Sequence, residues 1–461
     1  MTTYFKPDLI SKVRTYIHKT IAEHRGSKRL WVQGRRLADA GFTKGAGISY
    51  TVNKTTGSIA IKLEEGSQKT VSGRVNRSTG DVLPIIDILN KDFPAVGTRI
   101  RITVLNGLIL VDLHHEEKKK FDRENRLREI AAGKRTLKEG SLCTGIGVST
   151  YGVHESLKKA DILSTLDWVV DIEGKYLDVA ARNNPAVTDD TQLVVASLEE
   201  LEPELLGHVD LLSVSLPCTG FSLSGRSKLH LAFGEAHPDA ATAMFGFMQI
   251  VKRVNPSIIC SENVKQAQDS ATYHLIVSEL QRIGYRVMEI VLDGSDAGTL
   301  EDRARYYFVA VSEGVADSFT LDDLPKCEKV YQTMGDIMEE VPADDPSWKA
   351  YDYLEKKAVS DALAGKGFKR QFIDQKSTSV GTTGKGYFKA RSTEAFWKRS
   401  DGLQRLMTVA EHAAVKLIPF KLVEGLAPST AHEGLGQSVL LPHVTSLMDR
   451  VCLGIRSLQP A

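Results

Sequence analysis

Cysteine is scarce. Cys143, Cys218, Cys260, Cys327 and Cys452 are five in 461 residues, odd in number, widely spaced and without a C-x-x-C pair. That pattern argues against a disulfide framework or a zinc site and implies a reducing compartment. Long apolar runs are missing too: none approaches the roughly 18 residues needed to span a bilayer. The amino terminus "MTTYFKPDLISKVRTYIHKTIAEH" lacks an apolar core with a small-residue cleavage site. A cytoplasmic chain with no membrane partner is expected. Net charge is only +1, so no whole-molecule field draws a polyanion and any basic surface must be local.

What is present has the balance of an ordinary soluble multidomain chain, 42% hydrophobic and 25% charged. Leu9, Ile10, Val13, Ile17 and Ile21 predict a helix over residues 7–24. From Arg29 to Leu113 short alternating runs predict a small β domain, with Asn106-Gly107 as a hairpin turn between "RIRITVL" and "LILVDL". The two hairpin stretches "GISYTVNKTTGSIAIKL" and "TRIRITVLNGLILVDL" look like a degenerate duplication. This gives an amino-terminal domain over residues 1–115, and "HHEEKKKFDRENRLREIAAGK" adds a charged connecting helix within 116–139.

Between residues 140 and 325, apolar strand runs alternate with helical patterns, the signature of a doubly wound α/β sheet. "DDPSWKAYDYLEKKAVSDALAG" predicts a helix from Asp345-Pro346 to a stop at Gly365. Residues 361–400 carry nine Lys or Arg against three acids, with Phe368, Phe372, Tyr387, Phe388, Phe396 and Trp397 interleaved. That composition reads as a nucleic-acid surface or as a solvated loop. A region over 326–400 and a carboxy-terminal return over 401–461 complete the division.

In doubly wound sheets, ligands bind at the carboxyl ends of the strands. "LCTGIG" places Gly145 and Gly147 there, before a helix, and Asp171 in "WVVDIEG" ends the next strand run. The dinucleotide fingerprint is broken by Thr150 at its third glycine, so a nucleoside cofactor without a pyrophosphate, such as S-adenosylmethionine, suits the site better than NAD. "LLSVSLPCTGFSLSG" puts Cys218 directly after Pro217 at a strand end, either as a small buried hydrophobe or as a nucleophile. Glu262 and Asn263 in "SENV", and Arg303 and Arg305 in "LEDRARYYF", flank later strands.

Taken in order, "LCTGIG", "DIEG", "SLPCTGFSLSG", "SENV", "EDRAR" and "LGQSV" are similar to the motifs of the DNA cytosine-5 methyltransferases, over about two thirds of the chain. The resemblance implies a Rossmann-like S-adenosylmethionine-dependent sheet with a small target-recognition region. It also implies methyl transfer to carbon 5 of a flipped-out cytosine, in bacterial or phage-infected host cytoplasm, in the setting of restriction and modification. Cys218 would add to carbon 6, Glu262 would protonate ring nitrogen 3, Asn263 would orient Glu262, Arg305 would hold the cytosine carbonyl, and Arg303 would supply charge to the pocket and a nearby phosphate. Cys143 would lie beside the adenine, Gly145 and Gly147 at the methionine end, Asp171 on the ribose and Ile172 over the adenine face. Ser197, Pro217, Gln437, Ser438 and Val439 would complete the cofactor site. Ser222, Ser224, Lys369, Arg370, Lys376, Lys385, Lys389 and Arg391 would meet double-stranded DNA.

"LWVQGRRLADAGFTKGAGISYTV" with "SIAIKL" resembles the SymE-like members of the AbrB-type swapped-hairpin family. That resemblance implies self-association and phosphate contacts from Arg25, Lys28, Arg29, Arg35 and Arg36. Departures from the methyltransferase pattern are Thr219 and Glu301, each where Gln is usual, Ser197 where Asp is frequent, and Cys143 in place of Phe. A DNA cytosine-5 methyltransferase is therefore expected, without a metal. An RNA cytosine-5 methyltransferase and a non-catalytic DNA-binding regulator are the alternatives.

Overall fold

Thr15, Ile17 and Thr20 make half of the stretch Thr15–Thr20 β-branched. In the computed structural model, which describes residues 15–217, 238–363, 365 and 370–459, this stretch is a β-strand. It pairs antiparallel with Arg99–Leu105, Ile17 opposite Ile102, and Ala22–His24 is a further strand. The helix expected over residues 7–24 is thus corrected from Thr15 onward. β-branched side chains are stiff in helices and fit a pleated edge, and Arg99–Leu105 offers one here.

The chain divides into two units, residues 1–121 and 122–461, inside the helix His115–Ala131. In the first unit a five-stranded sheet runs Thr15–Thr20, Arg99–Leu105, Leu108–Leu113, Ile59–Leu63, Ile48–Val52. A four-stranded sheet runs Ala22–His24, Ser27–Gln33, Val82–Leu89, Ser72–Val75. Leu30, Val32, Ile86, Ile88, Ile61 and Ile102 belong to one core between them. The Asn106-Gly107 turn forms as expected, with Leu105 opposite Leu108. A closer repeat lies elsewhere: Asn53 and Asn76 each accept from a glycine N–H four residues on, both at 2.8 Å, in turns reading "NKTTGS" and "NRSTGD". Of the basic residues expected to face phosphate, Lys28 donates to the Phe93 carbonyl and Arg29 makes a two-pronged pair with Asp87. Arg25, Arg35 and Arg36 are exposed.

The connecting helix ends at Ala131, with Gly133 in the left-handed region after it, and the second unit's sheet begins at Leu137. We number its strands in chain order: β1 Leu137–Leu142, β2 Ser164–Asp171, β3 Gln192–Val195, β4 Leu211–Val214, β5 Ile258–Val264, β6 Tyr285–Leu292 and β7 Arg305–Ser312. Their spatial order is β3-β2-β1-β4-β5-β7-β6. All pairs are parallel except those of β7, which runs antiparallel between β5 and β6. This is the Rossmann-like α/β architecture expected.

Strand alternation divides the interior. Leu211, Ile258, Tyr307 and Val309 join one core with the helices Val148–Lys159 (α1) and Leu441–Ser457. Leu212, Ile259, Tyr306 and Phe308 join the other with Pro238–Val254 and Ala271–Arg282. The sheet is therefore covered on both faces, as near-continuous apolar strands require. Gly140 is obligatory in β1, because a Cβ there would stand 2.4 Å from the Trp168 ring.

Beyond β7 the helix expected from Asp345 begins only at Asp352. Asp345 closes a local turn on Ser347 and Trp348, and Tyr351 takes a left-handed φ of 53°, which a continuing helix does not allow. Of the interleaved aromatics, Tyr387, Phe396 and Trp397 are buried, so they are core there rather than stacking platforms. Among the described residues no helix is long and apolar enough to cross a membrane.

Candidate active site

Strand order reverses between β1 and β4, so their carboxyl ends leave a crevice on one edge of the sheet. After β1 the chain turns sharply. Cys143, Gly145 and Gly147 have φ of 54°, 56° and 85°, and Gly147 caps α1. A Cβ on Gly147 would come within 2.7 Å of the Asn184 amide nitrogen, which donates to the Gly147 carbonyl and to Thr150 Oγ1. Thr150 Oγ1 itself donates to the Gly147 carbonyl at 2.8 Å. A hydroxyl thus closes the turn at the position where the dinucleotide fingerprint has its third glycine. Burial pushes the Cys143 thiol up, so this side chain is a neutral filler.

Asp171 ends β2 and braces this turn. Oδ2 accepts from the Gly145 N–H at 2.7 Å and Oδ1 from the Glu173 N–H at 2.9 Å. Burial raises its carboxyl more than these two bonds lower it. A carboxylate has about four acceptor sites, so two remain for a ligand hydroxyl. Ile172 is 68% exposed and Val195, at the end of β3, 60%, an apolar rim that no packing accounts for. Ser197 Oγ donates to Glu200.

Glu262 and Arg305 meet across β5 and β7. Arg305 Nε lies 3.0 Å from Glu262 Oε1, and Arg305 Nη1 donates to the Ala304 carbonyl. Glu262 lines a cleft together with Ser141, Cys143, Thr144, Ser215 and Tyr307. Asn263, next along β5, points to the other face. Its amide donates to the Leu216 carbonyl at 2.9 Å and to Tyr273 Oη at 2.7 Å, and its oxygen accepts from Val264 N–H. It was expected to orient Glu262; it instead holds the loop ending in Pro217. Cys218, Thr219, Ser222, Ser224 and Lys369 lie outside the described residues.

Arg303 is corrected as well. It is buried, donating to the Thr383 carbonyl at 3.1 Å, the Gly436 carbonyl at 3.3 Å and Glu301 Oε1 at 3.3 Å, so it faces no phosphate. Glu301, the departure from Gln, is fully buried and lies 2.6 Å from Lys416 Nζ. Burial alone would raise Glu301; Lys416 and Arg303 together hold it low. Burial and the facing Arg303 pull Lys416 down to about 7. Sequence reasoning missed Lys416, whose signal is one lysine inside the apolar run "AAVKLIPF".

Thr383 Oγ1 donates to Glu301 Oε2 and contacts His412 Nε2, and His412 Nδ1 faces His432 Nδ1 at 2.9 Å. Burial lowers His412 well below the usual imidazole range and takes His432 and His443 to about 4. These imidazoles stay neutral while those of the unfolded chain take protons below about pH 6.5. Stability is therefore expected to fall as pH drops from about 6.5 to about 4, by about 2 kcal/mol at pH 5 for each of the latter two. Urea unfolding at pH 7.5 and pH 5 checks this; equal midpoints would contradict neutral burial.

Gln437 Nε2 donates to Tyr176 Oη at 2.8 Å, Ser438 Oγ to the Gly434 carbonyl, and Val439 is buried. In the basic segment, the Arg370 guanidinium pairs with Glu355 and Gln404 and lies over Phe372 and Phe396, so these partners already engage it. Lys376, Lys389 and Arg391 are exposed. Lys385 stands beside Tyr176 and Glu433, toward the Asp171 end of the crevice.

The family profile described as C-5 cytosine-specific DNA methylase matches residues 137–451. The match leaves the amino-terminal unit outside and gives no support to its SymE-like resemblance. The chain is 26% identical over 266 residues to the type II methyltransferase M.MspI of Moraxella, covering 56% of this chain and 60% of that enzyme. It is 25% identical over 199 residues to a human tRNA (cytosine(38)-C(5))-methyltransferase, covering 41% of this chain and 47% of the relative. The chain thus spans about half to three fifths of these relatives' length. A crystal structure of an S. pombe Dnmt2 methyltransferase superposes with a TM-score of 0.53 at 18% identity, covering 70% of this chain and 99% of that one. This likeness concerns the fold.

Proposed function

This chain belongs to the family of C-5 cytosine-specific DNA methylases, and from that premise we propose that it methylates carbon 5 of cytosine in double-stranded DNA through an adduct on Cys218. The observation that carries the reading is the Glu262–Arg305 pair in the cleft at the strand ends, with the loop leading to Cys218 fastened by Asn263.

S-adenosylmethionine, the family's methyl donor, supplies an electrophilic methyl group when bound. The residues present suit it. The turn after β1 brings bare backbone to the crevice, Asp171 keeps free acceptor sites for ribose hydroxyls, and Ile172 offers an apolar face to a purine. Gly145 and Gly147, with the amino end of α1, suit the methionine carboxylate.

Cytosine carbon 5 is a poor nucleophile. The Cys218 thiolate adds at carbon 6, forming the S–C bond, while Glu262 gives its proton to ring nitrogen 3 and Arg305 holds the carbonyl oxygen. The ring then acts as an enamine and takes the methyl group at carbon 5, the sulfonium–methyl bond breaking to leave S-adenosylhomocysteine. A base removes the carbon 5 proton, the C6–S bond breaks, the thiolate leaves with aromaticity restored, and the nitrogen 3 proton returns to Glu262. Since none of these atoms is accessible in a duplex, the base must first be flipped out.

The amino-terminal unit supports a polyanionic substrate. Residues 1–121 carry 21 Lys and Arg against 11 Asp and Glu, whereas residues 122–461 carry 38 against 47. The near-neutral chain thus conceals a basic unit followed in sequence by an acidic one, and a basic unit binds phosphate with strong salt dependence. Removing residues 1–114 is expected to weaken duplex binding about tenfold or more and to flatten the slope of log affinity against log salt by about 0.9 per lost phosphate contact, with turnover retained. An unchanged slope would contradict the assignment.

An RNA substrate is the second reading, favoured by the likeness to the human tRNA enzyme. Transfer of tritiated methyl from S-adenosylmethionine to duplex DNA and, separately, to tRNA distinguishes the two. Label in the duplex supports the reading; label in tRNA alone would sink it.

A further inference from the structure

Lys385 belongs to the basic segment whose type and context pointed to DNA, yet its backbone is fastened elsewhere. Gly436, in the helix Pro428–Gln437, packs so closely on this segment that a Cβ there would stand 2.1 Å from the Gly384 carbonyl oxygen. Arg303 bonds the Thr383 carbonyl with one arm and the Gly436 carbonyl with the other. Residues 383–386 are therefore held against the helix that ends in Gln437, and the side chain between them must serve that neighbourhood.

The ammonium group of Lys385 lies 5.8 Å from the Tyr176 ring centre, the same tyrosine whose hydroxyl accepts from Gln437. Glu433 is nearby, but its carboxylate is engaged by Lys175 at 2.8 Å, and Lys385 stays at 3.6 Å. Among the described residues Lys385 makes no hydrogen bond that would use its three donors. Its charge also acts on Asp171, which braces the turn at the mouth of the crevice. A half-exposed cation that pairs with Glu433 only at 3.6 Å and hydrogen-bonds none of the described residues, on a fixed backbone at the rim of a nucleoside site, is suited to an anionic group of the ligand.

We propose that Lys385 is a cofactor-binding residue whose ammonium pairs with the carboxylate at the methionine end of S-adenosylmethionine, linking the recognition segment to cofactor occupancy. This rests on the methyl-donor reading above.

Binding of S-adenosylhomocysteine and of 5′-methylthioadenosine, which lacks the amino-acid end, tests this by calorimetry on the full chain. Lys385→Met is expected to weaken S-adenosylhomocysteine about tenfold, to leave methylthioadenosine within about twofold, and to keep the melting temperature. Lys385→Arg is expected to restore most of the loss. Equal losses for both ligands, or loss of DNA affinity with S-adenosylhomocysteine unaffected, would overturn the proposal. If the wild type binds neither ligand, the methyl-donor reading falls and the proposal with it.

Discussion

Cys218→Ala is expected to lower methyl transfer roughly ten-thousand-fold or more, while binding of S-adenosylhomocysteine and duplex DNA stays within a few-fold. The asymmetry follows from the chemistry. Without addition at carbon 6 the ring has no enamine to offer. Glu262→Gln removes a proton donor rather than the covalent route, so its smaller loss, on the order of a hundred-fold or more, is expected in turnover with binding largely kept. Rapid-quench measurement of a single turnover checks both. A Cys218→Ala enzyme that turned over within tenfold of wild type would remove the thiol from the mechanism.

The second large effect is on folding. Glu301 stands between two buried cations, Lys416 at 2.6 Å and Arg303 at 3.3 Å. Glu301→Gln leaves both cations without their carboxylate and is expected to cost about 3–5 kcal/mol, because removing one partner leaves an uncompensated buried charge. Lys416→Met leaves Glu301 with Arg303 alone and should cost less. The double variant Glu301→Gln/Lys416→Met restores the glutamine usual in the family and removes the lysine that balances Glu301. It is expected to recover about 2 kcal/mol or more of the summed single losses. Denaturant unfolding of the three variants checks this, and strict additivity would contradict the pairing.

That compensated pair shows where sequence reasoning stops. Glu301 is visible in one dimension as a departure from Gln, but its partner is more than a hundred residues away, in the turn that follows the helix Val409–Ala414. The resemblance implies a phosphate-facing Arg303 and a DNA-facing Arg370, yet Arg303 is buried and the Arg370 guanidinium is engaged by Glu355 and Gln404, since nothing in a lone arginine records which carbonyls and carboxylates will surround it. The resemblance implies that Asn263 orients Glu262, but neighbours in a strand point to opposite faces, and the Asn263 amide reaches the Leu216 carbonyl instead.

The amino-terminal error has a similar cause. Val13, Ile17 and Ile21 repeat every four residues, which matches a helix stripe, but four is also even and keeps a strand residue on one face. By contrast, the strand runs of the second unit, the Asn106-Gly107 hairpin, and the gathering of Gly145, Gly147, Asp171 and Glu262 toward one edge of the sheet were legible, while Cys218, expected with them, lies outside the described residues. Buried parallel strands announce themselves as apolar runs, and the doubly wound sheet fixes which ends meet.

A duplex containing 5-fluorocytosine at its target site gives the most direct test, because fluorine cannot leave carbon 5 as a cation and the adduct persists after methyl transfer. With S-adenosylmethionine present, the wild type is expected to form a complex that survives denaturation, with the modified nucleotide on the peptide containing Cys218. A protein that methylates the normal duplex but yields no such adduct, or carries it on another residue, would contradict the account.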